Sequence, residues 1–277
     1  MLITRIATAV ILIPLVVAGI FTLPSIAAGA VYALFMVVGA WEWARLLGWV
    51  SPPVRLAFSV AFVVLAALLG WAEWRFTGPG AAGGALLALA CVWWLLAVYW
   101  LRRFPAGWDG WIGRPSSGGT IGLLVLLAST WAIYAIHAHT QGAALLLLFF
   151  ALIWGADSGA YFAGRALGRH KLAPAVSPGK TVEGAAGGIA AALLVAAIGG
   201  VLMGYTGPRL FGLLLLGGWI AVVSIIGDLT LSMFKRRAGI KDSGALFPGH
   251  GGVLDRLDSV LAAAPWFALG LFWLQPG

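Results

Sequence analysis

The sequence predicts an all-α, polytopic membrane protein with about nine transmembrane helices. Hydrophobic residues make up 62% of the 277 residues and charged residues only 9%, whereas soluble domains are roughly half apolar. The apolar residues gather in runs of about 20 residues, the length that a helix needs to cross a hydrocarbon core of ~30 Å. Because backbone polar groups in hydrocarbon must bond within their own segment, these runs indicate helices and not barrel strands.

Nine apolar runs follow one another along the chain. In order they are residues 6–22, 26–44, 56–72, 85–101, 119–137, 143–164, 182–205, 210–234 and 259–274. Five runs fall in an N-terminal region, 1–140, and four in a C-terminal region, 141–277, whose loops 165–181 and 235–258 are rich in charge. The first run also fits a cleaved signal sequence, because small residues follow it. We expect a retained helix, since the charge pattern described next requires it.

Basic residues are distributed unevenly among the segments that join these runs. With the N-terminus in the cytoplasm and nine crossings, every Lys and Arg except Arg75 and Arg209 falls on the cytoplasmic side. We therefore predict a multi-pass protein of the cytoplasmic (inner) membrane with a cytoplasmic N-terminus and an external C-terminus. The formal net charge of +8 then follows from this bias and requires no nucleic-acid partner.

The N-terminal region carries few groups suited to chemistry. Glu42 and Glu73 lie near the ends of their runs, where each can reach the interface or pair with Arg45 or Arg75, so we expect solvated side chains. Cys91, the only cysteine, falls within a run and is interpreted as a small buried apolar residue. A single cysteine excludes an internal disulfide framework and a thiolate metal cluster.

Two runs of the C-terminal region are interrupted in their interior by a carboxylate, Asp157 in one and Asp228 in the other. An unpaired carboxylate is costly in hydrocarbon, so such residues usually face a polar cavity and mark a functional site. Asp255 and Asp258 directly precede the last run, and their spacing places them on one face of a helix. All four acids lie toward the cytoplasmic side in the predicted topology, so we expect them to converge just below that surface.

Carboxylates beside many Lys and Arg side chains are what nucleotidyl or phosphoryl transfer requires. Carboxylate oxygens are hard ligands for Mg²⁺, and the basic side chains can bind phosphate oxygens. Asp228 and Asp255 come from separate elements and would hold a metal more rigidly than two acids from one turn. The competing interpretation is that the acids form helix-end salt bridges with Lys235, Arg236 and Arg256.

Loop 235–258 also contains a glycine-rich turn, residues 247–252. Gly251 and Gly252 let backbone N–H groups approach an anion closely, although a turn between two membrane helices favours glycine in any case. His250 in this turn can donate to a phosphate, fix the loop by hydrogen bonding or act as a general base, and the first two roles are favoured.

Loop 165–181 is a second basic cluster predicted on the same side of the membrane. Its segment 177–181 is similar to the end of a P-loop, but Pro174 stands where that motif requires glycine and no strand is predicted before it. We therefore reject a Walker site. The remaining candidate phosphate ligands are Lys171, Ser177 and Lys180. The alternative is a basic surface that only touches anionic lipid.

Residues 232–258 resemble the signature of the phosphatidate cytidylyltransferases, the CDP-diacylglycerol synthases. Its fixed positions are filled here by Ser232, Lys235, Arg236, Lys241, Asp242, Gly244, Phe247, Pro248, His250, Gly251, Gly252, Asp255, Arg256 and Asp258. The resemblance extends upstream through 157–161, Gly164 and 177–184, and so covers about 150–260. A pattern with this many fixed positions is far more specific than a lone glycine motif.

This resemblance implies transfer of CMP from CTP to phosphatidate, which gives CDP-diacylglycerol and pyrophosphate in phospholipid biosynthesis, with Mg²⁺ as cofactor. It also implies that Asp228 and Asp255 ligate the metal and that a second, monovalent cation lies nearby. Both substrates fit the predicted topology, because CTP is cytosolic and phosphatidate lies in the inner leaflet of the membrane. A homodimer is compatible with the family.

The residue chemistry and the resemblance together assign a role to each candidate. The catalytic residues are Asp228, Asp255, Asp258, Lys235 and Arg236. Asp157 and Asp258 either support the ligands of the Mg²⁺ ion from behind or bind a second cation. The residues assigned to phosphates and to positioning hydrogen bonds are Lys171, Lys180, Lys235, Arg236, Lys241, Arg256, Ser177, Ser232, His250, Gly251 and Gly252. The leading alternative function is an ion or solute transporter, which predicts acids spread through the membrane depth.

Overall fold

A computed structural model describes residues 14–77, 81–106, 114–246 and 251–274. The helices are α1 (14–22), α2 (Ser25–Leu46), α3 (Pro52–Ala72), α4 (Ala81–Arg103), α5 (Pro115–His137), α6 (Gly142–Leu167), α7 (Val182–Leu202), α8 (Gly207–Arg237) and α9 (Leu254–Leu274). A π-helix, Glu73–Thr77, continues α3, and two strands, β1 (Lys171–Ala173) and β2 (Ser177–Thr181), lie between α6 and α7.

The helical, membrane-spanning class predicted from the sequence is confirmed. In the described part of the chain eight helices, α2 to α9, are long and apolar enough to cross a membrane, and each overlaps a predicted run. The first predicted run, 6–22, lies partly outside the described residues, so a ninth span stays a prediction. Helix α9 begins at Leu254, earlier than predicted, and therefore includes Asp255 and Asp258.

Several helix starts follow directly from the sequence. Proline stands in the first turn of α3, α5 and α8, where its missing N–H group costs no hydrogen bond. Helix α7 begins instead with a side-chain cap, because the Thr181 Oγ accepts a hydrogen bond of 3.1 Å from the Gly184 N–H group. This cap fixes the point at which β2 passes into α7.

Helix α9 lies between two groups of helices. On one side it packs against α8, which packs against α7, and α7 in turn packs against α6. On the other side it packs against α4 and α5 of the N-terminal region. Its buried residues include Leu261, Ala264 and Phe267, each at most 1% exposed. The acids in its first two turns are therefore held by a helix that contacts both halves of the chain.

Small residues bring α6 and α7 into close contact. A Cβ atom added to Gly159 would lie 2.7 Å from the carbonyl oxygen of Gly187, so a larger side chain at this position would force the two backbones apart. Membrane helices commonly use such small residues for close backbone packing. The contact places the end of α6 beside the start of α7 and holds the short connection between them.

The connection between α6 and α7, predicted from the sequence as loop 165–181, contains a β-hairpin. Strand β1 pairs antiparallel with β2, with Lys171 opposite Thr181 and Ala173 opposite Ser177. Strand β1 thus precedes segment 177–181, so the expectation that no strand lies before this segment was wrong, and the segment itself forms β2. Both strands are too short to produce a recognisable alternation of polar and apolar residues.

One end of the helix bundle, called the polar end below, contains the ends of α2, α6 and α8 and the starts of α7 and α9. Contacts between Glu42 and Leu254 and between Lys180 and Asp228 join these elements. Arg209, at the start of α8, lies at the opposite end. The distribution of basic residues across the membrane that the sequence predicts, and its orientation toward the cytoplasm, stay predictions.

Candidate active site

The hairpin and α8 meet at Asp228. The Lys180 Nζ lies 2.5 Å from the Asp228 Oδ2, and the Ser232 Oγ donates a hydrogen bond of 3.2 Å to the Asp228 Oδ1. Ser232 is one helical turn after Asp228, so α8 itself sets that bond. The two charged side chains keep 29% and 30% of their surface exposed, which leaves the pair open to a ligand. Three predicted site residues therefore form one cluster.

Asp157 and Asp258 belong to the same cluster. Each interacts electrostatically with Asp228 and with Lys180, and Asp258 also interacts with Lys235. Helices α8 and α9 approach closely here, since a Cβ atom on Gly227 would lie 2.6 Å from the Asp258 carbonyl oxygen. The structure therefore brings together carboxylates from α6, α8 and α9.

Asp255 has a more enclosed environment than Asp228. Its Oδ1 accepts a hydrogen bond of 2.9 Å from the Lys235 Nζ, and the two side chains are only 6% and 14% exposed. Its Oδ2 accepts from the Ser243 N–H at 2.8 Å, from the Gly252 N–H at 2.9 Å and from the Ser243 Oγ at 3.0 Å. Asp255 thus ties the segment between α8 and α9 to the first turn of α9.

Glu42 of α2 is buried at this end of the molecule, and the expectation of a solvated side chain was wrong. It is 3% exposed and accepts hydrogen bonds from the Val253 N–H at 3.0 Å, the Leu254 N–H at 2.9 Å and the Ser243 Oγ at 2.9 Å. The first N–H groups of a helix have no partner within that helix, and Glu42 supplies acceptors at the start of α9.

Glu73 is also buried, contrary to the same expectation. It is 8% exposed and accepts a hydrogen bond from the Gly83 N–H group near the start of α4. Burying a carboxylate is unfavourable unless hydrogen bonds compensate it, and Glu42 and Glu73 both satisfy this condition through backbone N–H groups. Glu73 lies at the end of the bundle away from Asp228, so it takes no part in the cluster.

The remaining predicted residues surround the cluster less closely. The Arg236 Nε donates a hydrogen bond of 3.2 Å to the Val176 carbonyl oxygen and so attaches the hairpin to α8. Ser177 is partly buried in β2, and the side chains of three further basic residues are exposed: Lys171, Lys241 and Arg256. His250 lies outside the described residues, as do its neighbours 247–249.

The chemistry of the donor set fits a hard divalent cation. Carboxylate oxygens are the ligands that Mg²⁺ prefers, and Asp157, Asp228 and Asp258 present them from three helices. Within the described residues, however, no three Asp, Glu, His or Cys side chains are arranged as a metal-binding group. Lys180 and Lys235 instead contact Asp228 and Asp255, so a cation would share these carboxylates with two ammonium groups.

A cavity of about 1420 Å³ lies at the opposite end of the bundle. Its lining is mainly apolar, with Glu73, His139 and Arg209 among the polar groups, and it includes none of the predicted site residues. Burial and the charge of Arg209 lower the pKa of His139. Large volume alone does not identify an active site, and the grouped ionisable side chains place the candidate site at the polar end.

Comparison with known proteins adds an independent observation. A model of the cytidylyltransferase family matches residues 3–274, nearly the whole chain. The chain belongs to the cytidylyltransferase family. A phosphatidate cytidylyltransferase of Pseudomonas aeruginosa is 44% identical over 277 residues, which cover 99% of this chain and 97% of that protein.

Other family members are similar over the same length. A phosphatidate cytidylyltransferase of Haemophilus influenzae is 34% identical and covers 99% of this chain and 100% of its own. A phosphatidate cytidylyltransferase of Brucella suis is 38% identical over 99% of this chain and 94% of its own. The likeness therefore includes the N-terminal helices as well as the signature of this cytidylyltransferase family.

Two residues that line the candidate site, Glu42 and Ser243, were not predicted from the sequence. A carboxylate in an apolar run was taken as a functional signal for Asp157 and Asp228, and the same signal was available for Glu42. Ser243 gave no such signal, because a serine in a loop is common. Its side chain is fully buried at 0% exposure, a property that depends on contacts with distant segments.

Proposed function

We propose that the protein transfers CMP from CTP to phosphatidate and so forms CDP-diacylglycerol and pyrophosphate. The observation that carries this proposal is the full-length similarity to relatives named phosphatidate cytidylyltransferase. The geometry of the polar end supports it, since carboxylates and basic side chains from four elements meet where membrane helices end.

The reaction requires little acid–base chemistry from the protein. An ionised phosphate oxygen of phosphatidate attacks the α-phosphorus of CTP, a new P–O bond forms, and the bond from that phosphorus to pyrophosphate breaks. Because the nucleophile is already deprotonated, catalysis depends on positioning the reactants and on stabilising charge. A site rich in fixed charges and poor in general bases is suited to this step.

Basic side chains supply the charge that the phosphates require. Lys180 lies on the open side of the cluster and Arg236 beside the hairpin, so we assign both to phosphates of CTP. Lys235 is held by Asp255 with its ammonium group directed between α8 and α9, where it can stabilise the departing pyrophosphate. The exposed Lys171, Lys241 and Arg256 extend this positive field around the site.

The carboxylates are assigned to cations. Asp228 and Asp255 would hold Mg²⁺, and Asp157 and Asp258 would serve a second, monovalent cation. When bound, Mg²⁺ neutralises charge on the phosphate oxygens of the reactants. Asp228 is the more accessible of the first pair, while one oxygen of Asp255 is already engaged by three hydrogen-bond donors.

The same function places the polar end at the cytoplasmic face of the inner membrane. CTP is dissolved in the cytosol and phosphatidate is confined to the leaflet, so the site must be accessible to both. We retain nine spans with a cytoplasmic N-terminus and an external C-terminus as part of the proposal. A homodimer stays a prediction, which light scattering of the protein in detergent would test.

The direct test is incorporation of radiolabelled CTP into lipid by the purified protein in detergent. Wild-type protein with phosphatidate and Mg²⁺ should produce a labelled liponucleotide, and EDTA should stop its formation. Diacylglycerol in place of phosphatidate is a matched control, because it lacks the attacking phosphate. Folded wild-type protein that forms no labelled lipid, or forms it equally from diacylglycerol, would refute the assignment.

A further inference from the structure

Glu42 connects the N-terminal region to the candidate site. Its carboxylate accepts hydrogen bonds from three groups of the segment that leads into α9: the Ser243 Oγ and the N–H groups of Val253 and Leu254. These partners lie about 200 residues further along the chain. The site is therefore not built by the C-terminal region alone.

Ser243 links Glu42 to Asp255. Its Oγ lies 2.9 Å from the Glu42 Oε2 and 3.0 Å from the Asp255 Oδ2, and its hydroxyl proton can be donated to only one of them at a time. The Ser243 N–H donates to the Asp255 Oδ2 as well, at 2.8 Å. Both carboxylates are thus positioned against one fully buried serine.

The surrounding backbone is shaped to admit the Glu42 carboxylate. A Cβ atom on Gly252 would lie 2.5 Å from both the Glu42 Oε2 and the Ser243 Oγ, which is closer than such atoms approach in real proteins. Any side chain at this position would displace Glu42 or the start of α9. Gly252 therefore provides the space in which the two carboxylates approach the same donor, the Ser243 Oγ.

We propose that Glu42 is a positioning residue for CMP transfer. It fixes the start of α9 and Ser243, these fix Asp255, and Asp255 holds Lys235 through the 2.9 Å contact. Glu42 has no direct contact with the Asp228 cluster in the described structure and is not assigned to substrate. This role rests on the proposed function, because it concerns the geometry of that reaction.

Glu42→Gln is the most informative variant. Glutamine retains the volume but replaces one acceptor oxygen with an NH₂ group, which would face a backbone N–H or the serine hydroxyl. Residues that orient catalytic groups typically change activity by about 10- to 100-fold when they are replaced. We expect kcat to fall by about that factor, with a smaller change in the KM for CTP.

Glu73→Gln is the matched control. Glu73 is the other buried acid among the described residues of the N-terminal region, and it also accepts a hydrogen bond from a backbone N–H group, but at the opposite end of the bundle. Its replacement should lower Tm while leaving kcat per folded molecule unchanged. Hydrogen exchange in residues 240–256 should accelerate in Glu42→Gln and not in Glu73→Gln.

Ser243→Ala tests the connection between the two carboxylates. If Glu42 acts through Ser243, the double variant Glu42→Gln/Ser243→Ala should lose about as much activity as the more impaired single variant. If Glu42→Gln does not fold, Glu42→Asp keeps two acceptor oxygens on a shorter side chain and should show the same local increase in exchange with a smaller loss of kcat.

Two results would overturn the positioning role. One is wild-type kcat in folded Glu42→Gln, and the other is equal losses of kcat and equal exchange in Glu42→Gln and Glu73→Gln. Hydrogen exchange needs no substrate, so it separates this inference from the proposed reaction. Wild-type protein without CMP transfer would refute the reaction, and exchange alone would then decide whether Glu42 fixes the segment.

Discussion

Asp228 and Asp255 carry the same functional group in two different environments. Asp228 is partly exposed and is contacted by Lys180 from a two-stranded hairpin and by Ser232 from its own helix. The Asp255 side chain is almost fully buried and lies within hydrogen-bond distance of four donor atoms, one of them the Lys235 Nζ. The difference indicates that Asp228 is available to reactants and cations, whereas Asp255 also holds the protein together.

The largest expected effect on turnover comes from Asp228→Asn. The amide keeps the shape of the side chain but loses the charge that would bind a cation, so we expect activity to fall by at least about 100-fold. Because the side chain is partly exposed, Tm should change little. The measurement is CMP transfer together with a thermal unfolding curve, and retained activity would contradict the cation role of Asp228.

Asp255→Asn should lower both activity and stability. This change leaves the Lys235 ammonium buried without its carboxylate, and breaking a buried ion pair in this way costs about 3 kcal/mol. The comparison between the two carboxylates predicts a clear decrease in Tm for this variant and none for Asp228→Asn. Equal Tm values for the two asparagine variants would remove the distinction.

Lys180 and Lys235, the partners of Asp228 and Asp255, allow the same comparison between an exposed and a buried ion pair. Lys235→Met should destabilise the protein, because it leaves Asp255 buried and unpaired, again by about 3 kcal/mol. Lys180→Met removes a more exposed pair, worth about 0–1 kcal/mol, and should mainly raise the KM for CTP. Thermal unfolding and steady-state kinetics of both variants test whether Lys235→Met loses more stability than Lys180→Met. A larger loss of stability in Lys180→Met would contradict the comparison.

The smallest effect is expected from Glu183→Gln. Glu183 accepts hydrogen bonds from the N–H groups of Arg169 and His170 and pairs with the His170 ring at 2.6 Å, which fixes the start of the hairpin. The His170 side chain is largely exposed, and such pairs contribute little to stability. We expect an almost unchanged Tm and about a twofold rise in the KM for CTP, since Lys180 is carried by the same hairpin.

Features that depend on residues close together in the sequence could be predicted, and features that depend on contacts between distant residues could not. The helices were predictable because about 20 apolar residues in a row are a local property. The relation of Asp255 to Asp258 was predictable for the same reason, since both lie in one helix. The hairpin was missed because strands of three and five residues are too short to show periodicity.

The roles of Glu42 and Ser243 could not be predicted in the same way. Glu42 resembles any acid near the end of a membrane helix, and only its contacts with Val253 and Leu254 show that it is buried. Those contacts depend on how α2, α8 and α9 pack together. Burial of a polar residue is therefore the property that the sequence conveyed least well, because its partners are remote in the chain.

The late position of these partners has a consequence for biosynthesis. Glu42 leaves the ribosome 211 residues before Val253. Until α9 enters the bilayer, this carboxylate lacks the N–H donors of Val253 and Leu254 and must stay hydrated near the membrane surface, since an unpaired charge in hydrocarbon is unfavourable. Insertion of α9 is then the event that completes the candidate site, so a nascent chain truncated before it should be inactive.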